Sequence, residues 1–331
     1  MRLPASRGPL SSAVLRVLRS GSVAAGAGPA FRAAAEATRD PLHDGDFQLA
    51  LATCYELHYR GFDGVDEDLE WSPELLTLRR GLEVRFEAAL RLLTPAVTPD
   101  ARPIQRQLRD IVSADEDTGL SAYLLRSASV EQFREFFVQR SIYQLKEADP
   151  HTWAIPRLTG AAKTALAEIQ NDEYGAGRPA RAHATLFARA MRVLGLDSRY
   201  GAYWDAALPE TLAAVNVMSY FGLHRRLRGA AVGNLAAFEM TSTSPNGRVA
   251  RGLRRLGLDA AATDYFDEHV EADAVHEQLA AVDLCGSFAA DEPQLCPDVL
   301  WGATTCLATV GLANAALLGC WDVADRRTGA A

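Results

Sequence analysis

The sequence predicts an all-α protein, a bundle of about seven core helices preceded by an N-terminal helical extension. Three observations carry this. Helix start and stop signals recur along the chain, apolar residues repeat at helical spacing, and runs of alternating Val, Ile or Thr between turns are missing. Hydrophobic residues make up 48% of the 331 positions, enough for a large core.

The elements follow in order. Asp46 to Phe62 reads as a first helix, and Ser72 to Leu93 as a second opened by a Ser-Pro start signal. Three prolines break the chain between Thr94 and Pro103. Pro103 to Arg126 is helical apart from the acidic turn Asp115 to Gly119. Ser129, with Gln132 three residues on, caps a helix expected to reach Ala148, where Asp149-Pro150 stops it. Pro156 to Tyr174 ends at Gly175 and Gly177, and Pro179 opens a helix through Leu194, closed by Gly195. Pro209 to about Met240 reads as one long helix carrying glycines at 222, 229 and 233. Pro245 to Leu256, Ala260 to Leu284 and Pro293 to Val323 complete the set.

A net charge of −8 and no basic stripe argue against nucleic acid or an anionic membrane surface as partner. No two of the five cysteines form C-x-x-C, so neither a zinc knuckle nor a dithiol site is expected, and free thiols fit a cytoplasmic location. The first 35 residues hold five arginines and no acid before Glu36, a composition shared by organelle transit peptides. Residues 1–44 are read instead as a disordered leader, residues 45–110 as N-terminal helices packed on the core, and residues 111–325 as the main domain. Leu300 to Trp321 is uncharged and long enough to span a bilayer, but its glycines, threonines and Asn314 favour a buried C-terminal helix. No membrane partner is expected.

One helix carries the chemistry. Between Asp264 and Asp283 stand seven acids and no Lys or Arg, whereas exposed helices normally mix signs. His269, Asp273 and His276 lie at i, i+4 and i+7, within a narrow arc of one helical face. Two imidazoles around a carboxylate make half a metal site, although a hydrogen-bonded surface triad has the same spelling. The neighbouring helices supply company: Glu147, Glu173 and His183 near helix ends, and Glu239 in the apolar run Gly229 to Met240, where an unpaired acid is costly. Such a mixture suits iron or manganese better than zinc. The Glu-x-x-His pairs of ferritin-like bundles are absent.

In this order, the seven residues resemble the ligand pattern of the haem-oxygenase-like di-iron oxidases and oxygenases, over about Ser129 to Leu284. The segment Tyr55 to Phe62 also resembles the N-terminal helices of bacterial members. The resemblance implies a haem-oxygenase-like di-iron domain over residues 111–325, with Glu147, Glu173, His183, Glu239, His269, Asp273 and His276 holding two Fe(II) ions. Within that set it places Glu147, His183 and His276 on one iron, Glu239, His269 and Asp273 on the other, and Glu173 between them. O₂ is the implied co-substrate, with a small-molecule substrate, an external electron donor and, on base rates, a homodimer.

The extra imidazole, His269, resembles nitrogen-oxygenating members, which implies oxidation of an amine, guanidine or amino-acid-derived nitrogen in specialised metabolism. A desaturase or C–C-cleaving enzyme on the same site is the alternative. A metal-free helical binding protein, or a hydrolase using part of the ligand set, are readings of other classes. Tyr220, His224, Arg225 and Arg226 are within reach of a substrate carboxylate, but surface pairing is the commoner role. Tyr143 and Tyr174 flank ligand positions, and His151 lies in a turn without a metal-site signature.

Overall fold

The computed structural model describes residues 1–22, 27–115 and 118–328, apart from the side chains of residues 27, 273, 274 and 323–328. Among the described residues there is no β-strand. The helices are α1 (Pro9–Ser20), α2 (Ala27–Ala37), α3 (Gly45–Glu56), α4 (Pro73–Leu93), α5 (Ile104–Ser113), α6 (Leu120–Arg126), α7 (Val130–Gln144) and α8 (Asp149–Thr152). They continue as α9 (Gly160–Glu173), α10 (His183–Val193), α11 (Pro209–Leu223), α12 (Arg228–Thr241), α13 (Thr243–Arg255), α14 (Ala260–Gln278), α15 (Cys285–Asp291) and α16 (Cys296–Thr328).

Among the described residues of the span 1–44, expected as a disordered leader, lie α1 and α2. Helix α1 packs on α3 and buries Leu10, Val14, Leu15 and Leu18, while Arg16 and Arg19 face solvent. Asp46 of α3 accepts hydrogen bonds from the backbone of Leu10 and Ser11, each at 2.8 Å, and so caps the first turn of α1. Of the five early arginines, Arg16 and Arg19 thus lie on the outer face of α1 and Arg32 in α2, while Arg7 donates to the carbonyls of Trp204 and Ala207.

Three expected helices end early or divide, each for a visible reason. Helix α3 stops at Glu56 because Gly61, at φ +61°, returns its N–H to the Glu56 carbonyl. Helix α7 begins with the Ser129–Gln132 capping box but stops at Gln144, and Ala148 then takes a positive φ of 74°. The long helix expected from Pro209 divides into α11 and α12. There the Arg157 guanidinium donates to the carbonyls of Gly222 and Leu223, satisfying the end of α11 without another helical turn.

Helices α11, α12 and α16 form the centre of the larger hydrophobic cluster. A second cluster joins α6, α7, α10, α13 and α14 through Phe133, Phe137, Phe187, Leu253 and Phe266. Helix α16 is long and apolar enough to cross a membrane. Residues 299–309, including Val299, Leu300, Trp301 and Ala303, are mostly buried, whereas residues 310–320 are largely half-buried or exposed. The buried helix expected over Leu300 to Trp321 is therefore found only in the first half of that span.

Candidate metal centre

Six of the seven expected ligands converge in the interior. Glu147 comes from the turn after α7, Glu173 from the end of α9, His183 from the start of α10, Glu239 from α12, and His269 and His276 from α14. The backbone of Asp273 lies in α14 between the two histidines, but its side chain lies outside the described residues.

Local structure explains how distant residues are aimed at one place. Gly175, at φ +83°, folds the link from α9 to α10 so tightly that a Cβ there would sit 2.5 Å from Arg178 O and Ala182 N. Only glycine fits, and the tight loop lets Glu173 Oε2 meet His183 Nδ1 at 2.8 Å. Glu147 is swung inward by the Ala148 turn, a conformation costing on the order of 1–3 kcal/mol that neighbouring contacts must hold. Gln170 of α9 supplies one such contact, donating to Ala148 O at 3.0 Å.

The donors form two groups sharing Glu173. Glu147, Glu173, His183 and His269 place ligand atoms within 4.8 Å of one another, and so do Glu173, Glu239 and His276. His269 Nε2 lies 3.6 Å from Glu147, and His276 Nδ1 lies 3.4 Å from Glu239 and 3.9 Å from Glu173. This grouping departs from the expected division, which set His276 with Glu147 and His269 with Glu239. Seven residues of helix separate the two imidazoles by about 10 Å along the axis. Each therefore reaches the carboxylate at its own end.

The histidines are each held through one nitrogen and turn the other toward the centre. His269 Nδ1 is 2.8 Å from the carbonyl of Tyr265, so Nδ1–H donates and Nε2 presents its lone pair. His276 Nε2 lies 3.3 Å from Asp172 Oδ2, which leaves Nδ1 to the interior. Burial works against ionisation of Glu173, yet the charge of His183 at 2.8 Å, with His269 and His276, holds its carboxyl well below the ordinary range. Burial likewise opposes the charged form of His276, but Glu239, Asp172 and Glu173 raise it to about 9.

Glu147 Oε2, Glu173 Oε2, His183 Nδ1 and His276 Nδ1 are buried without a hydrogen bond of good geometry. Orphaned buried carboxylate and imidazole atoms facing each other are costly in an apolar interior, and a cation satisfies them together. The donor set, oxygen and imidazole without thiolate, fits iron.

A cavity of about 180 Å³ adjoins the centre, touching Glu147, Glu173, Glu239 and His269 and walled largely by apolar side chains such as Phe136, Leu235 and Phe238. Several polar residues on its wall were missed by sequence reasoning, three of them prominent. Tyr265 donates to Glu147 at 2.7 Å, His151 lies buried with Nε2 2.9 Å from Asn234, and Arg140 extends from α7. Tyr265 stands four residues before His269 on the same face, a usable signal. His151 and Arg140 carried none. Tyr143 lines the cavity, whereas Tyr174 bonds to Asp149 and Thr152 near the surface. Tyr220 and Arg226 join Glu87, and His224 meets Glu83, on α4. These contacts are structural pairing.

The fold and site together define an all-helical protein with a buried centre of carboxylates and imidazoles. The chain belongs to the family of iron-containing redox enzymes, whose sequence profile matches residues 134–311, a span containing all seven expected ligands. It is therefore an oxidoreductase of di-iron-oxidase-like type. The chain is also 30% identical over 172 residues to the nitrosourea synthase of Streptomyces achromogenes subsp. streptozoticus, an alignment covering 52% of this chain and 36% of that protein. Among solved structures it is similar to a CADD-like protein of unknown function from Nostoc punctiforme. That likeness has a TM-score of 0.52 and 16% identity, covering 65% of this chain and 95% of the other, and it speaks to fold alone.

Proposed function

We propose that the chain is an O₂-dependent di-iron oxygenase that oxidises a nitrogen of a small amine, guanidine or amino-acid-derived substrate. The observation that carries this reading is that Glu173 belongs to both ligand groups, as a carboxylate bridging two metal ions must. We place Glu147, Glu173, His183, Glu239, His269, Asp273 and His276 in the ligand set.

Two ferrous ions, when bound, supply the two electrons that reduce dioxygen together with the substrate. For an amine the balance is R–NH₂ + O₂ + 2e⁻ + 2H⁺ → R–NHOH + H₂O, and an external donor returns the electrons between turnovers. The chain's own residues provide the setting. Tyr265 holds the Glu147 carboxylate and the Tyr265 carbonyl fixes the His269 tautomer. Phe136, Leu235 and Phe238 keep bulk water from the substrate. His269 in the ligand cluster favours nitrogen over carbon as the target, on the family resemblance stated above.

Anaerobic titration of metal-free protein with Fe(II) is expected to saturate at two ions per chain, and O₂ consumption is expected to depend on that iron. Glu173→Ala should lose both. Saturation at one ion, or turnover without O₂, would overturn the reading. Hydroxylamine or N-oxide products identify nitrogen oxidation, whereas alkene or cleaved products identify the carbon-directed alternative.

A further inference from the structure

Helix α7 ends with Arg140 and Gln144 at i and i+4 on one face, and Glu147 follows in the turn just beyond it, so the chain runs from a guanidinium to a proposed ligand carboxylate. All three line the cavity beside the centre. Many arginines of this chain pair with acids, among them Arg181 with Glu268, Arg189 with Asp264 and Arg228 with Glu292. Arg140 has no carboxylate within 4 Å among the described residues. Its Nη2 donates to Asn314 Oδ1 of α16 at 3.1 Å, and its Cζ lies 5.3 Å from the Phe136 ring centre. A guanidinium carries five N–H donors, so most of its capacity is unspent.

Gln144 adds an independent sign. Its Oε1 is buried with no hydrogen-bond partner, and an amide end that rotates offers an N–H from the same position. Burial opposes the charge of Arg140, and Tyr265 and Glu147 offset that only in part, so an anionic ligand beside it and the unpartnered amide is favoured.

We propose that Arg140, with Gln144 and Asn314, forms a subsite that binds a carboxylate of the substrate away from the metal centre. The inference rests on the oxygenase reading for what happens at the other end of the cavity, but not for the binding itself. Four helical residues from 140 to 144 rise about 6 Å, and Glu147 stands in the turn beyond them. A carboxylate held at Arg140 thus places an atom several bonds further along the molecule beside Glu147. At about 15 Å³ of accessible volume each, the cavity of about 180 Å³ takes roughly twelve heavy atoms. The substrate class is a carboxylate whose reacting nitrogen lies towards the far end of a flexible chain. An α-amine oxidised beside its own carboxylate does not match.

The test uses the full chain, both metal-free and anaerobically loaded with Fe(II). Straight-chain ω-amino carboxylates of increasing length are titrated by calorimetry against their primary amides, in which only the charge of the head is removed. Carboxylates of at least one length are expected to bind about tenfold or more tightly than the amides, in both metal states. Arg140→Gln should abolish that preference, and Arg140→Lys should keep part of it. If Arg140→Gln does not fold, Arg140→Lys and Gln144→Leu read the same preference. Absence of carboxylate binding in both metal states, or an undiminished preference in the variants, overturns the subsite. Failure of the wild-type chain to take up iron overturns the oxygenase reading instead, so the two failures are distinguishable.

Discussion

Tyr265 illustrates how one side chain can tune the centre without itself being a ligand. Its hydroxyl donates to Glu147 at 2.7 Å, its carbonyl faces His269 Nδ1 at 2.8 Å, and its ring lies 4.4 Å from that of His269. Burial, with the charge and hydrogen bond of Glu147, pushes the phenol far above its ordinary value, so it stays a donor. Tyr265→Phe removes the hydroxyl and leaves the ring. We expect iron affinity to fall about 10- to 100-fold, while stability drops by about 1 kcal/mol. A chelator competition series alongside urea denaturation separates the two effects. The side chains proposed as ligands stand out in the sequence because carboxylates and imidazoles recur at helical spacing. Arg140 and His151 do not, since only the neighbours brought by other helices show that they line a cavity.

At the scale of the element, the site depends on how closely helices cross. Gly233 of α12 lies against the backbone of α16, and a Cβ there would meet Val299 O at 1.9 Å. Gly302 makes the reciprocal approach to Ala230 O at 2.1 Å. Gly233→Ala must therefore push the two helices apart. It is expected to destabilise the fold by about 1–3 kcal/mol, seen as a lower urea midpoint. Because Glu239 projects from the same helix, Fe(II) stoichiometry should fall as well. Glycines at 222, 229 and 233 were visible in the sequence as interruptions of a helix, yet the chain divides at residues 224–227, where Arg157 caps α11. Their role as contact points, at Gly222 against Pro150 O and Gly229 against Leu295 O, required the partner backbones. The π-helical turn Leu279–Leu284, which follows α14 and packs on α9, was equally hidden.

At the scale of the whole molecule, the N-terminal helices brace the ligand turn. Lys146, adjacent to Glu147, pairs with Glu56 at 3.1 Å, and both are almost wholly buried. Tyr200 donates to the same carboxylate at 2.7 Å, and the Lys146 ammonium lies 4.1 Å from the Tyr59 ring centre. Lys146→Ala strands the Glu56 charge and should cost about 3–5 kcal/mol. Lys146→Met, which keeps most of the side-chain volume, should still loosen the Glu147 turn. The expected readout for both is a lower thermal midpoint with weakened iron uptake, and paired replacement with Glu56→Gln should recover stability relative to either single lysine variant.

The sequence alone settled the helical class and most helix starts, and it displayed the residue types of the proposed donors, because caps, proline and glycine breaks and the 3.6-residue repeat act over a few neighbours. It also settled that His269, Asp273 and His276 share a face. Tertiary structure alone decided that Glu173 stands in both groups, that His269 sits with Glu147 and His276 with Glu239, and that residues 9–20 fold onto α3. It also supplied the counter-charges for the acidic α14, through Arg181, Arg189 and Arg254 from α13 and the α9–α10 region. Those outcomes depend on contacts between residues far apart in the chain, where helix crossings and close glycine approaches fix distances that no local pattern encodes.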